Sequence, residues 1–113
     1  MYKNPLELIR HILDECNFIL SALNTKPLKE DFLKDETLKR AIVRSLEIIG
    51  EAAKKVPSDY KAKFPEIEWK SMAGMRDRLI HDYMGTNYHI VWDAATNKFP
   101  LLKKQTESLL INE

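Results

Sequence analysis

Arg76, His81 and Tyr83 stand in the order Arg-x4-His-x-Tyr, with Asp77 beside the arginine and Asp82 beside the histidine. Histidine exchanges protons near neutral pH, and such transfer contributes about 10²–10⁴-fold to a rate. Arginine stays charged and offers phosphate oxygens a planar fork of donors. These types suit RNA, which carries its own nucleophile in the 2′-hydroxyl. A catalyst needs only to remove that proton, stabilise the charged phosphorane and protonate the departing 5′-oxygen. Arg76 and His81 are therefore the candidate catalytic pair, with no cofactor. Asp77 and Asp82 do not by themselves make a two-metal site, so no metal is assigned.

Geometry limits what one chain can do. Five residues along an ideal helix turn side chains about 140° apart, so Arg76 and His81 need not meet within one subunit. A two-fold axis beside their helix would bring the pairs of two subunits into one cleft, because such an interface apposes identical surfaces. Asp77 precedes His81 by four residues and is placed to orient the imidazole by accepting a ring N–H. Arginine and histidine at this spacing are common on helices as surface ion-pair partners, so the spacing alone assigns no site.

The elements that must hold these residues read as helices throughout. Asn4 and Pro5 open the first, with a stripe at Leu6, Ile9, Leu13, Cys16, Leu20 and Leu23. Residues 24–29, with Pro27, form a connection, and a short turn follows around Asp31 to Leu33. A second long helix begins at Asp35 or Glu36 and runs to Lys55, where Pro57 stops it. Its stripe is Leu38, Ile42, Leu46, Ile49 and Ala53, broadened by Ala41, Ile48 and Ala52. Gly50 costs that helix about 1 kcal/mol relative to alanine, and a close helix crossing is the ordinary reason to bear it. Ser58 to Glu66 is a linker with room for one helical turn. A third helix spans Trp69 to Tyr83 with Gly85 as its C-terminal cap, and Asn87 caps a fourth containing Ile90, Val91, Ala94 and Ala95. Pro100 either kinks the fourth helix or opens a short extra segment, Leu101 to Leu110. The expectation is all-α: one domain over residues 1–113, an antiparallel four-helix bundle with a short extra helical segment.

Composition narrows the partners. The 18 basic and 17 acidic side chains leave a formal charge of +1, so attraction for nucleic acid must come from a local basic cluster. Cys16 is the single cysteine, which rules out an intramolecular disulfide and fits a reducing, cytoplasmic setting. No apolar run approaches the roughly 20 residues of a membrane span, and no secretory signal is evident. Beyond the motif, His11 reads as structural and His89 as solvated. Trp69 and Trp92 read as core or interface anchors. Lys54-Lys55 and Lys103-Lys104 read as solvated faces within reach of phosphates.

The stretch from Ile67 to Tyr83 resembles the signature of the HepT-like toxins of the HEPN superfamily, as do Leu46 to Lys54 and Val91-Trp92. The matches run in order from Leu8 to Leu110. The resemblance implies a HEPN bundle that forms a homodimer, with higher oligomers open. In it the Arg-x4–6-His motifs of both subunits face a shared cleft and cut RNA without metal, leaving a 2′,3′-cyclic phosphate. Carried onto this sequence, Arg76 stabilises phosphate, His81 is the acid/base, and Asp77 is the polar residue after the motif arginine. The resemblance further implies a partner, a MntA-like minimal nucleotidyltransferase antitoxin that transfers AMP to Tyr83. Transfer RNA and messenger RNA both stay open as substrates. Two rival readings are a non-catalytic HEPN module that docks a nucleotidyltransferase, and a small-nucleotide-binding domain.

Overall fold

A computed structural model describes residues 4–25, 28–81 and 87–112; the side chains of residues 79–81 and 112 lie outside that description. Among the described residues the chain is helical throughout, without strands: α1 (Pro5–Asn24), α2 (Lys29–Lys34), α3 (Glu36–Lys55), α4 (Ser58–Lys63), α5 (Trp69–His81), α6 (Tyr88–Asn97) and α7 (Phe99–Asn112). Side-chain caps start three of them, because the first turn of any helix leaves N–H groups without internal partners. Asn4 Oδ1 accepts from the Leu6 N–H at 2.8 Å and Asp35 Oδ1 from Leu38 at 3.0 Å. Asn87 Oδ1 accepts from His89 at 3.0 Å and Ile90 at 3.3 Å.

α1 packs against α3 on one side and α7 on the other; α5 packs against α3, and α6 against α7. Being sandwiched widens and turns the buried face of α1. Leu8, Ile9, Ile12, Cys16, Ile19 and Leu23 are buried, while Leu6, Leu13 and Leu20 are half-buried. The expected stripe was therefore centred about 60° too far round the helix. Burial pushes the Cys16 thiol up to about 12, so this sulfur stays protonated and inert at physiological pH.

Two further expectations change, and one left open is settled. The turn at residues 31–33 is a full helix, α2, because Phe32 is wholly buried and meets Tyr88 edge-on at 6.5 Å and Trp92 at 5.4 Å. Phe32→Ala removes the contact joining α2 to α6 and is expected to cost about 3–5 kcal/mol, read as a lowered urea midpoint. Of the two roles open to Pro100, it starts a helix: it sits at the second position of α7, where no backbone donor is lost. The extra segment is not short, since α7 has 14 residues and packs along α1. His11 is exposed beside Leu8, Ile48 and Glu51.

Polar burial in α3 follows from the same packing. Lys39, on the face between α2 and α6, lays its ammonium 4.5 Å from the Tyr88 ring centre and 2.9 Å from Glu36 Oε1. The pairing with Lys39 holds the Glu36 carboxyl below its ordinary value. This anchors the start of α6, the element that follows the motif in the chain.

Candidate functional site

α5 is fixed in rotation by its crossing with α3, and Gly50 lies at the crossing. A Cβ on Gly50 would overlap the Arg76 Cβ and stand 2.7 Å from the Met72 carbonyl oxygen. The expected close crossing is present, and it seats the stem of Arg76. Further up α5, Trp69 is buried and donates its indole N–H to the Phe64 carbonyl at 3.1 Å, locking the start of the helix to the preceding loop. Gly74 faces open space.

The guanidinium end of Arg76 is held by its neighbour. Arg76 NH1 donates to Asp77 Oδ1 at 3.1 Å, and Lys54 Nζ reaches across from α3 to Asp77 Oδ1 at 3.1 Å and Oδ2 at 3.4 Å. Arg76 is 28% exposed, Asp77 42% and Lys54 46%, so the trio is joined through its charged ends and stays partly open to solvent. The hydrogen bond from Lys54, then that from Arg76, holds the Asp77 carboxyl below its ordinary value. A depressed carboxylate stays charged as pH falls through the ordinary range near 3.9, and the bridge dissolves only below its own lowered value. At neutral pH the trio carries two positive charges and one negative.

The structure thus brings together Arg76 and Asp77 and adds Lys54, which the sequence reading had placed on a solvated face. The missed signal was periodic: Lys54 lies one turn beyond Gly50, on the same side of α3. His81 is the last residue of α5, five positions beyond Arg76. Its side chain lies outside the described ones, so the expected contact between Asp77 and the imidazole lies outside them too. Tyr83, Asp82 and the Gly85 cap fall on residues 82–86, which are likewise outside. His89 is exposed at the start of α6, as read, and Trp92 packs on Phe32. Among the described residues no group of His, Cys, Asp or Glu is placed to hold a metal ion.

On its other side α5 borders an open groove lined by Ser71, Gly74, Met75 and Arg78 and, from α6, by Ile90 and Asp93. Lys98 closes one end, its ammonium 3.4 Å from the Ser71 hydroxyl. Ile90 and Leu101 are exposed. No described helix is long and apolar enough to cross a membrane.

The chain matches the family model described as Ribonuclease HepT-like over residues 12–109. It is 46% identical over 111 residues to a protein of Caldanaerobacter subterraneus subsp. tengcongensis named "Putative RNase TTE0752", covering 98% of each chain. It is 44% identical over 99 residues to "Putative RNase MJ0127" of Methanocaldococcus jannaschii, covering 88% of this chain and 81% of that one. With the "Probable ribonuclease HepT" of Thermococcus cleftensis it shares 48% identity over 80 residues, 71% of this chain and 73% of the relative. No solved structure matches the chain.

Proposed function

The chain belongs to the HepT-like ribonuclease family, and from that premise we propose that it is a metal-independent RNA endonuclease, the toxin of a toxin–antitoxin pair. The observation that carries the reading is Arg76: its stem is seated over Gly50 and its fork held by Asp77, on the helix that ends in His81. A guanidinium held through one terminal nitrogen and still partly exposed is preorganised for a phosphate. In this reading α1, α3, α5 and α7 are the four helices of a HEPN bundle. Two copies pair about an axis beside α5, and the groove with Met75 and Ile90 gives that helix an unfilled flank.

The chemistry divides between the two motif residues. The 2′-hydroxyl loses its proton to a base while its oxygen bonds to phosphorus. The P–O5′ bond breaks, the 5′-oxygen takes a proton, and a 2′,3′-cyclic phosphate remains. His81 exchanges those protons and Arg76 neutralises the phosphorane. Neutralisation is a covalent cap. The Tyr83 phenol oxygen attacks the α-phosphorus of ATP on a minimal nucleotidyltransferase, pyrophosphate leaves, and Tyr83 carries AMP. A bulky anion two residues from His81 then repels the phosphate that the cleft is built to take.

Two measurements test the pair. Expressed without a partner, the wild-type chain is expected to arrest growth and the His81→Ala variant to be tolerated; equal toxicity sinks the catalytic reading. Co-expressed with a minimal nucleotidyltransferase, the chain is expected to gain the mass of AMP at Tyr83. A neutralised complex with Tyr83 unmodified would replace the covalent cap with simple occlusion.

A further inference from the structure

α3 presents two residues to α5 one helical turn apart, and both bear on the same arginine, Gly50 directly and Lys54 through Asp77. Gly50 leaves room for the Arg76 stem. Lys54 touches no atom of Arg76 among the contacts described but binds both oxygens of the carboxylate that holds it. The adjacent lysine makes the contrast plain. Lys55 pairs within its own helix with Glu51 at 3.4 Å, an ordinary surface pair on consecutive turns, whereas Lys54 bridges two helices.

We propose that Lys54 is a positioning residue for the reaction above, acting through Asp77 to present Arg76 to the RNA phosphate and to release it when the phosphate arrives. The inference rests on the nuclease reading of Arg76. A free Arg76–Asp77 pair would compete with substrate, because phosphate and carboxylate want the same donor fork. Lys54 divides the carboxylate's charge between two cations, so Asp77 steers Arg76 without saturating it. When phosphate takes the guanidinium, Asp77 is left with a partner instead of an unpaired charge. The depressed Asp77 titration accords with such sharing, Lys54 being its largest cause.

Because Lys54 acts through Asp77, a mutant cycle separates this role from direct contact with RNA. Lys54→Met is expected to lower kcat/KM for RNA cleavage about tenfold, the scale on which groups that orient a working residue act. Lys54→Arg is expected to restore most of the loss. In the Asp77→Asn background Lys54→Met is expected to change the rate less than about twofold, since the link it works through is already gone. A tenfold loss that persists in that background means that Lys54 touches RNA itself and overturns the positioning role, as does wild-type activity in Lys54→Met. A second readout needs no substrate: titration of the Asp77 carboxyl by carbon NMR, with melting curves to show that each variant folds. Lys54→Met is expected to raise the Asp77 midpoint, and an unmoved midpoint also overturns the proposal. Failure of the wild-type chain to cleave any RNA would instead sink the nuclease reading, and the titration would still decide whether Lys54 governs Asp77.

Discussion

Arg76→Ala is expected to slow RNA cleavage by about 10²–10³-fold, the usual cost of deleting one preorganised donor aimed at developing charge. The fold should survive, because Arg76 is only partly buried and the core lies elsewhere, in Phe32, Ile42, Leu46 and their neighbours. Loss of packing over Gly50 must still be separated from loss of chemistry. Arg76→Lys does that: it keeps a long stem and a positive charge but replaces the planar fork with a point charge. The account expects the lysine variant to fold as wild type and to remain at least tenfold impaired. Gel assays of a labelled RNA, paired with circular dichroism melts, read both. Near wild-type cleavage by Arg76→Ala would remove this residue from the site.

Gly50→Ala is expected to damage the same activity from the opposite helix. The added methyl would overlap the Arg76 Cβ and press on the Met72 carbonyl, a backbone atom that cannot swing away. Overpacking of this kind costs about 1–3 kcal/mol, against a gain of about 1 kcal/mol from helix propensity. The net change is destabilising by up to about 2 kcal/mol. More telling is its direction: α5 is pushed off α3, carrying Arg76 away from its seat and Asp77 away from Lys54. Activity should therefore fall further than the small loss of folded protein explains. Gly74→Ala is the control on the same helix as the motif. Nothing stands within 4 Å of its added carbon, so it should stabilise a lone chain by up to about 1 kcal/mol. A more active or more stable Gly50→Ala would mean that α3 and α5 do not cross closely.

These two glycines illustrate what the sequence conveyed. Gly50, inside a strong apolar helix pattern, announced a close crossing and the crossing is there. The pattern could not say which residue lay opposite, because that depends on how α5 is rotated. Helix starts were legible at Asn4 and Asn87, where a cap residue stood first, since capping is a local bond, whereas the cap at Asp35 went unread and left that start open between Asp35 and Glu36. The buried face of α1 was misplaced because α7 covers it, and a helix with two neighbours buries an arc that no single stripe describes. The separate identity of α7 was equally hidden: Pro100 permits a kink or a start, and only packing on α1 chooses. In the site, Arg76 and Asp77 were read from type and spacing. Lys54 was not, because a lysine in a charged helical turn reads as solvated until its partner on another helix is known.

The claim on which the rest depends is that Arg76 and His81 cut RNA without a metal ion. It is tested most directly by incubating the purified chain with RNA in excess EDTA and identifying the new 3′ ends. The account predicts fragments bearing 2′,3′-cyclic phosphate, produced by the wild-type chain and not by His81→Ala. Cleavage that stops in EDTA and returns with added Mg²⁺ would contradict it.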